Sequence, residues 1–288
     1  MTKTISPLRQ RMIDDMALRN MSPNTQKVYT YAVANFGRFH GQSPGKLGLE
    51  HVRDYRLHLI ARSLKATSIN PIVGALRFFY GTTLGNKAMA EQIPFARKED
   101  TLPAVLTPEQ VVSVLKAEPN LKMRTAFIVI YAAGLRVSEA VKLTAKDIDS
   151  KRMVIRIRQA KGNMDRNVML SEQLLNILRD YWRRGQPLNS FLFPGPDPDR
   201  PITTRSLQRA FRDAADAAGL DKPVTVHTLR HSFATHLLEQ GVDIRVIQDL
   251  LGHRQITSTT RYTRVAINMI RKIQSPLELL NIDEPGPG

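Results

Sequence analysis

The 288-residue chain contains no cysteine. That absence excludes a disulfide framework, a thiolate zinc site and a cysteine nucleophile. Long apolar runs are missing too: the longest, Ala126 to Ala133, is far too short to span a bilayer. The opening residues hold Lys3, Arg9, Arg11, Asp14 and Asp15 where a secretory signal would need a continuous apolar segment. The expectation is a cytoplasmic protein with no membrane attachment. No internal repeat occurs, and low complexity is confined to Glu284-Pro285-Gly286-Pro287-Gly288, which predicts a disordered end. Negative charge is the remaining shortage, with 26 Asp+Glu against 42 Lys+Arg and a net charge of +16. The excess is spread evenly, +8 over residues 1–100 and +8 over the rest, so it does not come from a basic tail. Two halves that touch one polyanion would show this distribution, although charge alone also fits a merely soluble basic protein.

The length suits two domains, each able to bury a core. The first hundred residues predict four helices. Ser6-Pro7 opens one with Leu8, Met12, Met16 and Leu18 as its apolar stripe. Ser22-Pro23, an N-cap followed by proline at N1, opens another that stops near Gly41. A third spans Glu50 to Arg62. The fourth follows Lys65-Ala66-Thr67 and ends near Gly81–Gly85, with Pro71 placed in its first turn, where proline is tolerated. Ile93 to Leu106, holding Pro94 and Pro103 among charges, has the composition of a linker. Thr107-Pro108-Glu109-Gln110 starts a further helix, and helices continue to Leu143. Met153–Arg158 and Asn167–Leu170 predict two strands joined by a turn around Lys161-Gly162-Asn163. From Ser171 the pattern is helical again, interrupted by a proline-rich loop from Phe193 to Pro201. The fold class expected is mainly α with a small antiparallel β-sheet.

The most informative segment is His227-Thr228-Leu229-Arg230-His231-Ser232-Phe233-Ala234-Thr235-His236. It puts a proton-transfer group and a guanidinium three residues apart on one helix face, a pairing suited to phosphodiester chemistry. Breaking such an ester requires neutralising the non-bridging oxygens, deprotonating a nucleophile and protonating the leaving oxygen. Arg136, in Gly134-Leu135-Arg136-Val137-Ser138-Glu139, is a second guanidinium able to fork a phosphate, and Glu139 could brace it. Taken singly, Arg136 also fits a helix-terminal surface residue, Glu139 an exposed helix charge and His227 a simple cap. His227 and His231 have the i,i+4 spacing of a zinc pair. Thr228 stands where a metalloprotease helix needs Glu, however, and Arg230 would repel a cation, so no metal is expected. His253 follows a helix stop at Leu250-Leu251-Gly252. Nine residues later comes Tyr262, flanked by Arg261 and Arg264, cations that favour a phenolate. A buried aromatic is the competing reading of Tyr262. Tyr29, Tyr31, Tyr55, Tyr80, Tyr131 and Tyr181 lie in apolar-periodic helices with no such neighbourhood. Lys161, at the predicted hairpin tip, fits either a solubilising charge or a finger reaching a DNA groove.

Arg136, Lys161, His227-x-x-Arg230, His253 and Tyr262 occur in the order of the tyrosine recombinase (phage integrase) family, which the chain resembles over nearly its whole length. The likeness is nearest to Xer-type and integron-type members, especially from His227 through His253. It implies a helical, SAM-like core-binding domain over residues 1–92, a linker over 93–106, and an α/β catalytic domain with a C-terminal tail over 107–288. It further implies six catalytic residues, Arg136, Lys161, His227, Arg230, His253 and Tyr262, with Glu139 as the acidic accessory. Tyr262 would attack the phosphate to leave a 3′-phosphotyrosyl link and a free 5′-hydroxyl. Arg136, Arg230 and His253 would stabilise the phosphorane, His227 would assist proton transfer, and Lys161 would protonate the departing 5′-oxygen. Neither a cofactor nor a metal is implied. The implied partners are double-stranded DNA recombination sites, three further protomers in a tetrameric synapse on two duplexes, and in some systems a sister recombinase. The tail carrying Val265, Ile267, Ile270, Ile273, Leu277, Leu279 and Leu280 would dock on a neighbouring protomer or on its own domain.

The sequence departs from the family in three places. Ala160 and Met164 stand where relatives often place glycine and lysine, no separate arm-binding domain precedes the first helices, and no extra helix separates Gly219 from His227. Dimer resolution, DNA integration and excision, and mobile-element movement all fit the pattern. A non-catalytic DNA-binding accessory protein of the same fold and a type IB topoisomerase are the alternatives.

Overall fold

A computed structural model describes residues 5–97, 103–160, 164–185 and 191–252. Lys161, His253, Tyr262, the apolar tail and the Gly/Pro end lie outside the described residues. The chain divides into two compact units, Met1–Thr101 and Leu102–Gly288.

The first unit is helical: α1 (Pro7–Leu18), α2 (Pro23–Phe39), α3 (Leu49–Ala61), α4 (Ala66–Phe78), a π-helical turn (Phe79–Thr83) and α5 (Lys87–Glu91). Both serine-proline starts work as the sequence predicts. Ser6 and Ser22 accept the N–H groups of Arg9 and Thr25 through their Oγ atoms at 3.4 and 3.2 Å. Pro7 and Pro23 then fill positions whose N–H would have no intrahelical partner. Met12, Met16, Phe36, Val73 and Leu76 meet in the core, each at most 1 % exposed. Pro71 differs from expectation. α4 begins at Ala66, which puts the proline in the second turn, inside the helix, where it removes a main-chain hydrogen bond. Burial of Ile69, Val73 and Leu76 on the same helix offsets that loss. α5, with only five residues, is too short to show a period in sequence; it is fixed by Asn86 Oδ1, which accepts from Met89 N at 3.0 Å. Downstream, Ile93 is fully buried in this unit, and Ala96 exchanges two hydrogen bonds with the Asn70 side chain, at 2.9 and 2.8 Å.

Near the start of the second unit Leu106 is fully buried, its N–H donated to Ser232 Oγ at 2.9 Å. Helices α6 (Pro108–Ala117), α7 (Leu121–Ala133) and α8 (Val137–Ala140) follow. The helix start expected at Thr107 is closed by a capping box, with Gln110 N on Thr107 Oγ1 at 3.3 Å and Thr107 N on Gln110 Oε1 at 3.1 Å. The apolar run from Ala126 forms the buried side of α7, where Phe127 meets Phe211 edge-on with ring centroids 5.3 Å apart. A three-stranded antiparallel sheet comes next, in the order β1 (Ile148–Asp149), β2 (Val154–Ala160), β3 (Met164–Met169). β2 and β3 are longer than the sequence suggests, and β3 starts three residues before Asn167. The register pairs Ile155 with Val168 and Ile157 with Arg166, then shifts before Ala160 pairs with Met164. The remaining helices are α9 (Glu172–Gly185), α10 (Thr204–Ala217), α11 (Val226–Glu239) and α12 (Ile244–Leu251). α11 and α12 share a small core of Phe233, Ala234, Leu238, Ile247 and Leu251. The architecture is the mainly helical, small-sheet one expected. Among the described residues no helix is long and apolar enough to cross a membrane.

Candidate active site

The site is built where the C-termini of α7 and α12 meet the first turns of α8 and α11. α7 stops because Gly134 takes the left-handed conformation, φ +63°. A side chain there is forbidden by packing as well as by backbone, since a Cβ would stand 2.4 Å from the Phe233 ring. The sharp turn delivers Arg136 as the N-cap of α8 and Glu139 three residues on. α12 ends the same way, at Gly252 with φ +61°, one residue before His253. The carbonyls left over at both helix ends carry partial negative charge and need donors.

Guanidinium groups supply those donors. Arg230 is 3 % exposed and donates from Nη1 to Gly134 O at 2.7 Å and from Nη2 to Leu251 O at 2.6 Å. Arg136 donates from Nη2 to Gly252 O at 3.1 Å and from Nη1 to Glu139 Oε1 at 2.8 Å, while its main-chain N–H reaches Glu139 Oε2 at 2.8 Å. Arg230 Nη1 also stands 3.8 Å from Glu139 Oε2. A buried arginine is costly unless paired and hydrogen-bonded, and here the helix ends and one carboxylate meet that requirement. The Arg136 side chain remains 20 % exposed.

Glu139 is the hub. Burial would raise its pKa. The hydrogen bonds from Arg166 and from the Arg136 main chain, with the charge of Arg166 and the Arg136 guanidinium, outweigh that and hold it at about 2. His227, at the start of α11, is exposed at its rim. Partial desolvation of the ring, then the positive charges of Arg230 and Arg136, push its pKa below 6.5, with Glu139 pulling the other way. At neutral pH the imidazole is therefore uncharged and can accept a proton. His236, further along the same helix, is paired with the Tyr131 hydroxyl at 2.8 Å. Among the described residues no group of three or more His, Asp or Glu could hold a metal ion.

Arg136 and Glu139 thus cluster with His227 and Arg230, a pair distant from them in sequence. Lys161, His253 and Tyr262 lie outside the described residues, but the chain runs into His253 directly from the helix end that the arginines cap. Sequence reasoning missed one member, Arg166. It forks Glu139, Nη1 to Oε1 at 2.9 Å and Nη2 to Oε2 at 2.8 Å, and donates from Nε to Leu250 O at 2.9 Å. The signal was alternation: Val168, two residues on, faces the core, so a strand extended back to Met164 turns Arg166 inward as well.

Residues 104–269 match the phage integrase family, and residues 8–89 match the phage integrase N-terminal SAM-like domain. The chain is 47 % identical to y4qK of Sinorhizobium fredii, which carries an integrase/recombinase name, over 98 % of this chain and 92 % of that one. It is 35 % identical to tyrosine recombinase XerA of Thermococcus kodakarensis over 91 % of this chain and 92 % of the relative. The crystal structure of a lambda integrase dimer bound to a COC′ core site shares the fold, with a TM-score of 0.74 at 18 % identity over 94 % of this chain and 98 % of that one. The chain belongs to the phage integrase family, the tyrosine recombinases.

Proposed function

We propose that Tyr262 is the nucleophile of a strand-transfer reaction whose phosphate is held by Arg136 and Arg230. The chain is a site-specific DNA recombinase of the tyrosine type. In the step proposed, the Tyr262 oxygen bonds to phosphorus as the bond to the 5′-oxygen breaks. The phenol proton passes to the neutral imidazole of His227, and the 5′-oxygen takes a proton from Lys161. His253 adds a donor to the phosphorane. The ester energy stays in the phosphotyrosyl bond, so a 5′-hydroxyl from a partner strand reverses the step without ATP or metal. The observation that carries this reading is the convergence of Arg136, Arg230 and His227 around helix ends that feed straight into His253.

Residues 1–92 would grip the core DNA, 93–106 would link, and 107–288 would carry the chemistry. The lambda integrase structure, a dimer on its core site, supports double-stranded DNA as partner. We propose four protomers on two duplexes as the working assembly, with the apolar tail after Tyr262 supplying contacts between neighbours.

Nicked suicide duplexes made from DNA flanking the gene test the proposal. The expected result is a covalent protein–DNA adduct from the wild type, none from Tyr262→Phe at equal DNA binding, and exchange of strands between two duplexes. Binding without any adduct would make the chain an accessory DNA-binding protein. Relaxation of supercoils without exchange would make it a type IB topoisomerase.

A further inference from the structure

The geometry points to Arg166 as a positioning residue for this chemistry: it cancels the charge of Glu139 and fastens the end of α12 to β3. The inference rests on the function proposed above, because it concerns how Arg136 and Arg230 are kept available for phosphate.

Arg166 is largely buried, with 10 % of its side chain exposed. Three of its N–H donors are directed to protein. Two parallel bonds go to Glu139, the planar arrangement that lysine cannot copy, and Nε goes to Leu250 O. The side chain also lies across Gly252, where a Cβ would come within 3.0 Å of Arg166 Cδ and 3.2 Å of Nε. One residue therefore joins three elements that supply the site: α8 through Glu139, β3 through its own backbone, and the α12 terminus that leads into His253.

The charge balance explains why the pairing matters. Arg136, Arg166 and Arg230 against Glu139 leave the cluster at +2. A phosphodiester brings −1, and the phosphorane formed on attack spreads −2 over its equatorial oxygens. With Arg166 present, Glu139 is satisfied by a group other than the two proposed to hold the phosphate. Remove Arg166, and among the described residues the guanidiniums left near Glu139 are Arg136 at 2.8 Å and Arg230 at 3.8 Å, the two the reaction needs. The cluster then stands at +1, one short of the transition state, and the carboxylate competes with phosphate for both arginines.

The test uses the full chain and three variants: Arg166→Met, Arg166→Lys and the double change Glu139→Gln with Arg166→Met. Single-turnover cleavage of a suicide core duplex is followed alongside duplex binding and thermal melting. Arg166→Met should cleave about 10–100-fold more slowly while still shifting the duplex, the usual cost of losing a group that orients a reacting one. The double variant returns the cluster to +2 and should regain about tenfold or more of that loss, even where its melting point stays low. Arg166→Lys, with the charge but no fork, should fall between. A wild-type rate in Arg166→Met overturns the inference while leaving the recombinase reading intact. So does a double variant no faster than the single one, which would make the residue merely structural. If Arg166→Met does not fold, the double variant decides: a rate within about tenfold of wild type supports the charge role and a slower one overturns it. No adduct from the wild type takes down both readings.

Discussion

Replacing Glu139 by glutamine should uncover how much of the second unit's stability depends on one buried carboxylate. Glu139 is 8 % exposed, and its pKa falls from 4.5 to about 2 on folding. A depressed carboxylate contributes stability that is fully present above about pH 4.5 and is lost as pH falls toward 2. The drop corresponds to about 3 kcal/mol by linkage. Removing one partner of a buried ionic cluster costs about 3–5 kcal/mol, because the guanidiniums left behind stay buried. At pH 7 the variant should therefore be about 3–5 kcal/mol less stable, lowering the melting point of a unit this size by about 6–20 °C. The gap should close as pH is lowered through the carboxylate range. Urea unfolding from about pH 2 to 8 reads this directly. The single tryptophan, Trp182, lies in α9 of the same unit and reports its unfolding by fluorescence. Stability curves that run parallel across the whole range, or that coincide at pH 7, would refute Glu139 as the charged hub.

Two further outcomes follow from the same geometry. Gly134→Ala forces a left-handed alanine and drives its Cβ into the Phe233 ring, so we expect about 2–5 kcal/mol of destabilisation and a cleavage defect beyond it, since Arg230 hangs from the Gly134 carbonyl; an unchanged melt and rate would contradict this. His227 has its pKa held below 6.5, so the acid limb of the cleavage rate should lie below pH 6.5 and flatten in His227→Gln. An acid limb centred above pH 6.5, unaffected by that substitution, would remove His227 from the proton path.

Much of this fold is visible in the sequence because its boundaries are chemically marked. Ser6-Pro7, Ser22-Pro23 and Thr107-Pro108 each put an acceptor oxygen and a donorless residue at a helix start, and each caps as foreseen. Pro71 escaped because an interior proline on a well-buried helix leaves no local mark beyond its own identity. The short α5 and the π-helical turn escaped because neither is long enough to show a period. In the site, His227 and Arg230 lie on one helix and their spacing declares them. Arg136 and Glu139 are separated from that helix by nearly a hundred residues, and only the family's order of motifs linked them to it. Arg166 was hidden twice over. Its strand appeared to begin one residue later, and an arginine in a basic hairpin reads by default as a solvent-facing charge. What no local pattern could show is that helix-end carbonyls and a single carboxylate gather the arginines before any phosphate arrives. That arrangement comes from the left-handed glycines at 134 and 252 and from the packing of α12 on α11.

The most direct measurement is to locate the covalent bond. Wild-type protein is trapped on a suicide duplex, the complex is digested with protease and nuclease, and the nucleotide-bearing peptide is sequenced by tandem mass spectrometry. The account predicts a 3′-linked nucleotide on the Tyr262 oxygen, with the yield falling sharply when Arg136 or Arg230 is changed to alanine. A nucleotide on any other side chain, or a yield indifferent to both arginines, would contradict it.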